Sequence, residues 1–172
     1  MKRILVIGSS GAGKSTFAKR LGSALDIPVI HLDAEYWQAG WRETPKPEWA
    51  EKLSKMLAAE SWIMDGNFSG TLDLRLQSCD AAIMLELPAR VCLWRVSKRF
   101  LRYRNQVRPD MAAGCNEKLD WEFIVWIWRY QKQTASRVKA MLNKYANSKQ
   151  VIYLRSQKEV EAFILRQKQV KR

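Results

Sequence analysis

The four consecutive apolar residues Ile4-Leu5-Val6-Ile7 form a short run rich in β-branched side chains, the pattern of a strand covered on both faces. A glycine-rich turn over residues 8–13 ends it. Phe17, Ala18, Leu21, Ala24 and Leu25 then recur at helical spacing, and Pro28 separates that helix from a second strand at residues 29–32. Residues 62–65, 81–87 and 151–154 read as three further strands, each short and bounded by polar or turn residues. Trp49, Leu53, Met56 and Leu57 mark a helix beginning near Pro47.

Two helical patterns lie between the fourth and fifth strands. The first, residues 88–104, places Leu93, Val96, Phe100 and Tyr103 on one face and Arg95, Arg99 and Arg102 on the other. The second, residues 118–146, carries the stripe Phe123, Ile127, Tyr130, Thr134, Val138, Met141 and Tyr145. Between them, residues 105–117 contain Pro109 and Gly114 and little periodicity, so a loop long enough to move is expected. A terminal helix over 157–167 completes a βα alternation. The expected fold is α/β, a three-layer sandwich on a five-stranded parallel sheet, with residues 1–172 forming one domain. Residues 34–61 form an excursion on the acceptor side and 105–117 a short mobile lid.

Composition adds direction. With 172 residues, 47% of them hydrophobic and 27% charged, the chain has material for a core and differs from disordered or collagen-like sequences. Its net charge of +13 is uneven: residues 1–86 hold ten basic and eleven acidic side chains, and residues 87–172 the other twenty and six. The second half thus carries +14 and favours an anionic partner, whether a phosphate ester, a nucleic acid or a membrane surface. The first apolar run is shorter than a secretory signal core, and no run approaches the ~20 residues of a membrane span. A cytoplasmic location without membrane attachment is expected. Cys79, Cys92 and Cys115 are widely spaced, which suits buried thiols better than a disulfide frame or a zinc site.

Gly8-Ser9-Ser10-Gly11-Ala12-Gly13-Lys14-Ser15 satisfies G-x-x-x-x-G-K-[ST] and stands between a buried strand and an amphipathic helix, where its chemistry requires it. Glycines let backbone amides turn around a phosphate, the helix N-terminus adds partial positive charge, and Lys14 neutralises β and γ oxygens. Residues 8–15 with Thr16 are therefore the expected nucleotide contacts, the occupant being ATP or GTP. Ser15 is an expected Mg²⁺ ligand. Asp65, ending the third strand, either joins the magnesium shell through water or closes a turn with Gly66. Glu86 is an alternative carboxylate that more simply ends its strand. Asp33, at the end of the second strand, either meets an acceptor hydroxyl or caps the next helical turn. His31 is expected to pack in or beside the strand.

Arg95, Arg99 and Arg102 lie at i, i+4 and i+7, with Arg104 and Arg108 following, a ridge suited to charge on a transferring phosphoryl group or to solvent. Trp37, Trp41, Trp49 and Trp62 are expected mainly in the core, with stacking on a base as the alternative.

Taken together, GSSGAGKS, HLDAEYW, WIMDGNFSGTLDLRL, the strand ending LELP and the segment from Arg95 through RPDM resemble the adenylate-kinase-like nucleoside and nucleotide kinases, and within them the bacterial DNA topology modulation proteins. The resemblance covers nearly the whole chain. It implies ATP- and Mg²⁺-dependent phosphoryl transfer to a small acceptor, a nucleoside or nucleotide. Asp65-Gly66 match the start of that group's Asp-Gly-Phe-Pro-Arg segment, Asn67-Phe68-Ser69 depart from it, and Arg75 in the next helix is the candidate to replace the missing arginine. The resemblance further assigns Arg95 and Arg99 to the ATP base and phosphates and Arg108 to the lid. With Lys14 and Asp33, these arginines are the expected catalytic set. Two rival readings remain: a nucleotide-binding, DNA-associated regulator without a metabolite substrate, and a kinase acting on nucleic-acid 5′ ends. The basic half keeps nonspecific nucleic-acid binding in view.

Overall fold

Residues 1–170 are described by a computed structural model. The first apolar run forms β1 (Arg3–Gly8), the amphipathic segment after it α1 (Lys14–Leu25), and the next strand β2 (Val29–His31). The excursion then folds as α2 (Leu32–Tyr36), an antiparallel pair β3 (Trp37–Gln38) and β4 (Arg42–Glu43), and α3 (Lys46–Ala58). There follow β5 (Trp62–Asp65), a 3₁₀ turn (Ser69–Thr71), α4 (Leu72–Ser78), β6 (Ala81–Leu85), α5 (Ala89–Arg102), α6 (Trp121–Tyr145), β7 (Gln150–Leu154) and α7 (Gln157–Val170). The main sheet is five-stranded in the order β2-β5-β1-β6-β7, with every neighbouring pair parallel.

The two-residue period of β1 supplies both cores. Ile4 and Val6 point to one face and pack with Phe17 and Leu21 of α1, Val96 of α5 and Ile164 of α7. Leu5 and Ile7 point to the other face and meet Leu53 of α3, Leu76 of α4 and Val138 of α6. A strand buried on both faces has no polar alternation to show, which is why its sequence reads as an unbroken apolar run. The result is the expected three-layer α/β sandwich.

Differences from expectation are local. The second strand ends at His31 rather than at position 32, so Asp33 lies in the first turn of α2 instead of at a strand end. Asp120 starts α6 by accepting the Phe123 amide at 2.8 Å, later than residue 118. The buried stripe of α6 runs through Ile127, Tyr130, Ala135, Val138 and Leu142, not Thr134 and Met141. Ile127 joins the first core and Tyr130 onward the second, so the stripe rotates as α6 passes from one face of the sheet to the other. All three cysteines are buried free thiols. Among the described residues, no helix is long and apolar enough to cross a membrane.

Candidate functional site

The chain leaves central β1 and re-enters the sheet two positions away at β2, leaving β5 to fill the gap. Strand order therefore reverses beside β1, and in open α/β sheets ligands bind outside the strand C-termini at such a point. The loop over residues 8–13 sits there. Gly11 has φ +78° and a Cβ on it would stand 2.2 Å from the Cys92 carbonyl oxygen, so only glycine lets the loop lie against α5. Gly13, at φ +92°, precedes α1 with no side-chain cap, which leaves the first-turn amides directed at an anion. Lys14 Nζ donates to the Ser9 carbonyl at 3.1 Å, folding the side chain over the loop. Burial lowers the Lys14 pKa and Arg99 adds to that, against Asp33 and Asp65.

Asp65 stands beside the loop because Val6 and Asp65 are register partners on β1 and β5. Its Oδ2 accepts the Ser15 hydroxyl at 2.8 Å, and its Oδ1 lies 2.5 Å from His31 Nδ1. His31 is the register partner of Asp65 on β2. Beyond packing beside its strand, as expected, His31 orients the carboxylate. Asp110 belongs to the same group: burial acts to raise its pKa, but Arg108 and the Ser15 hydroxyl hold its carboxyl below the usual value. Oxygen donors of this kind suit Mg²⁺. Among the described residues no three His, Cys, Asp or Glu side chains form a cage; the oxygen donors beside the loop are the Ser15 hydroxyl and the Asp65 carboxylate.

α5 carries the arginine ridge to the loop. Arg95 Nη1 reaches the Ala12 carbonyl at 3.4 Å and Nη2 donates to Gln157 Oε1 at 2.9 Å, so Arg95 bridges the loop to α7. Arg99 points instead toward the segment 103–120. Its Nε donates to Glu117 Oε1 at 2.8 Å, while Arg108 Nε lies 2.6 Å from Glu117 Oε2 and Arg108 Nη1 3.3 Å from Asp110 Oδ2. The Glu117 side chain is only 2% exposed. Arg102 lines the cleft beside the loop, and Arg104 instead bridges to Glu117 through its backbone.

The expected loop is organised rather than irregular. Bridges join Arg104 to Glu117 and Val107 to Asn116. The same segment docks on the β3–β4 turn through Gly40 N to Gly114 O at 3.0 Å, Trp41 Nε1 to Asn116 O at 3.0 Å, and Cys115 Sγ to Gln38 O at 3.2 Å.

Two cavities meet in this region. One, of about 650 Å³, is lined by the loop, Arg95, Lys98, Tyr103, Gln157 and Val160. The other, of about 420 Å³, is lined by aromatic rings: Trp37, Trp41, Phe68, and Phe123 and Trp126, which stack on each other at 6.0 Å. Ser10, Lys14, Asp33, Arg99 and Arg108 line both. Burial raises the Asp33 pKa, with Lys14 opposing it and Asp65 adding to it. The four tryptophans divide: Trp49 and Trp62 are core, whereas Trp37 and Trp41 line the second cavity.

Arg75 does not take the place of the missing arginine. It is fully buried, and its guanidinium donates to the carbonyls of Gly66 at 3.3 Å, Asn67 at 3.0 Å and Phe68 at 2.8 Å. Desolvation brings its pKa down to about 10, still leaving it charged at neutral pH. It braces the turn after Asp65. Arg75→Leu leaves those carbonyls without their donor, and we expect a loss of about 2–4 kcal/mol in urea unfolding; a loss below 1 kcal/mol would mean that water replaces the brace. Glu86 is likewise outside the site, paired with Lys139 and, at 3.3 Å, with Arg155. Sequence reasoning missed His31 as a partner of Asp65, and it missed Asp110 and Glu117 altogether. It also missed Asn67, whose Oδ1 accepts the Gly8 amide at 3.3 Å. Only for His31 was there a signal: two polar residues closing adjacent strands.

No family model and no curated protein matches the chain. Among solved structures it is similar to shikimate kinase from Acinetobacter baumannii in complex with shikimate, with a TM-score of 0.64 and 13% identity over 99% of this chain and 93% of that one. It is also similar to shikimate kinase from Bacteroides thetaiotaomicron, with a TM-score of 0.51 and 18% identity over 99% and 98% of the two chains. A Chloroflexus aurantiacus protein provisionally assigned as a kinase gives a TM-score of 0.56 and 14% identity over 98% of each chain. The five-stranded parallel sheet with helices around it matches the P-loop kinase fold of the shikimate kinase neighbours.

Proposed function

We propose that this chain is a magnesium-dependent phosphotransferase that moves the γ-phosphoryl group of ATP or GTP to a small acceptor, a nucleoside or nucleotide, held against the aromatic lining of the second cavity. The observation that carries this reading is the set of five residues common to both cavities, which puts a lysine, two arginines and a carboxylate where two substrates would meet. The kinase fold of the structural neighbours supports it.

Residues 8–16 hold the phosphate tail through backbone amides, Lys14 balances the β and γ oxygens, and Arg95 fixes the loop from above. Ser15 and Asp65, the latter oriented by His31, hold the magnesium ion, which when bound draws charge from the phosphate oxygens. For a hydroxyl acceptor, Asp33 takes the proton as the acceptor oxygen bonds to the γ phosphorus and the bond to the β–γ bridging oxygen breaks, releasing the nucleoside diphosphate. Arg99 and Arg108 stabilise charge on the group in flight. Residues 103–120 cover the junction and exclude water that would otherwise accept the phosphoryl group.

Nucleoside diphosphate release, measured over a panel of nucleosides, nucleotides and small hydroxy compounds, tests the reading. The expected result is release stimulated at least tenfold by one acceptor class. Slow hydrolysis indifferent to every acceptor, or no uptake of nucleoside triphosphate in calorimetry with Mg²⁺, overturns it.

A further inference from the structure

We infer that Glu117 is a charge filter for the second cavity: by neutralising Arg99 and Arg108 it makes the cavity select an uncharged acceptor over an anionic one. The inference rests on the reading of that cavity as the acceptor site and deepens it, excluding nucleotides and carboxylic acids from the acceptor class.

The cations that line the cavity are Lys14, Arg99, Arg108 and Lys118. Lys14 lines both cavities and folds back over the loop, donating to the Ser9 carbonyl, where the phosphate tail would engage it. Arg99 donates its Nε to the nearly buried Glu117, whose other carboxylate oxygen lies 2.6 Å from Arg108 Nε as an ion pair, and Arg108 turns a terminal nitrogen to Asp110. Two guanidinium groups and two carboxylates form a quartet of zero net charge. Lys118 holds its ammonium 5.1 Å from the centre of the Trp41 ring at the outer edge. Arg75 does not line the cavity and is committed to three backbone carbonyls.

An anionic acceptor entering here meets Asp33, Glu117 and Asp120, and each arginine it approaches has a carboxylate on its Nε edge. With a carboxylate on Nε, each guanidinium loses one of its two donor edges to an entering anion, and the net attraction of the pair is cancelled. A planar, neutral molecule meets no such conflict: the aromatic lining accepts its faces, and Asp33 accepts its hydroxyl proton. The γ-phosphoryl group is brought in by the loop and Lys14, and needs only the terminal nitrogens that Glu117 leaves open. Glu117 thus serves both as a positioning residue for two arginines and as the determinant of acceptor charge.

Glu117→Gln keeps the shape of the side chain and removes its charge. Inorganic phosphate is the anion probe, titrated calorimetrically into the full chain with Mg²⁺ and a non-hydrolysable ATP analogue filling the loop. Wild type is expected to bind phosphate weakly, the variant about tenfold or more tightly, and Glu117→Gln combined with Arg99→Gln again weakly. Glu117→Asp, which keeps the charge, should behave as wild type. If Glu117→Gln fails to fold, Asp110→Asn removes the other carboxylate of the quartet and should also gain phosphate affinity. In turnover, the kcat/KM ratio of a nucleoside to its monophosphate should fall about tenfold or more in Glu117→Gln. Equal phosphate affinity in wild type and the charge-removing variants overturns the filter, as does a gain in Glu117→Asp. Absence of transfer by wild type to any acceptor overturns the phosphotransferase reading instead, and the phosphate titration still decides the role of Glu117.

Discussion

Lys14→Ala is expected to lower kcat/KM for phosphoryl transfer on the order of 10³-fold, about 4 kcal/mol of transition-state stabilisation. Its stability should not fall. Burial, the largest influence on Lys14, lowers its pKa, so the unfolded chain holds the proton more tightly than the folded one. Below the lowered value the charged amine therefore costs stability, and removing it should leave the thermal midpoint equal or higher at neutral pH. The pair of measurements separates a charge held for chemistry from one held for structure. Near-normal turnover in this variant would refute the assignment of the loop as the phosphate site.

Asp33→Asn should lower kcat about 10²- to 10⁴-fold with a hydroxyl acceptor, the range for removing a positioned general base. Burial raises the Asp33 pKa above the usual carboxylate value. Two pH effects follow. Activity of the wild type should climb as pH rises through that raised value, and the climb should vanish in the asparagine variant. Stability runs the other way: the contribution of the protonated form is complete below the unfolded carboxylate range and is lost as pH rises through the folded value. Asp33→Asn should therefore be the more stable protein near neutral pH. A variant that keeps kcat and loses only affinity would show that no base is used, as for an acceptor that is already an ionised phosphate.

These expectations also separate what could be read along the chain from what could not. The five main strands and the helices around them were legible because a strand buried on both faces and a helix buried on one leave distinct periods in the apolar residues. The short pieces over residues 32–43 were not, since α2, β3 and β4 are too brief to show a period and are held by contacts with distant residues such as Gly114 and Asn116. Trp49 and Trp62 followed the core expectation, while Trp37 and Trp41 escaped it because the β3–β4 turn faces a cavity rather than the sheet.

The glycine-rich loop between β1 and α1 was legible for a different reason: its pattern is local. Eight adjacent residues carry the glycines, lysine and serine that one phosphate tail requires, so order along the chain is also order in space. The remaining groups come from separate elements. His31 meets Asp65 only because β2 and β5 pair in that register, and Glu117 meets Arg99 and Arg108 only because residues 103–120 fold back on α5. Arg75 offered the opposite lesson, an arginine whose burial beneath the Asp65 turn removes it from any ligand. Local spacing therefore decided the layered fold and the glycine-rich loop that ends its first strand. Which charges are neutralised, which aromatic rings are left facing space, and hence what can sit opposite the phosphate, depended on pairings across long loops that only the folded chain brings within a few ångströms.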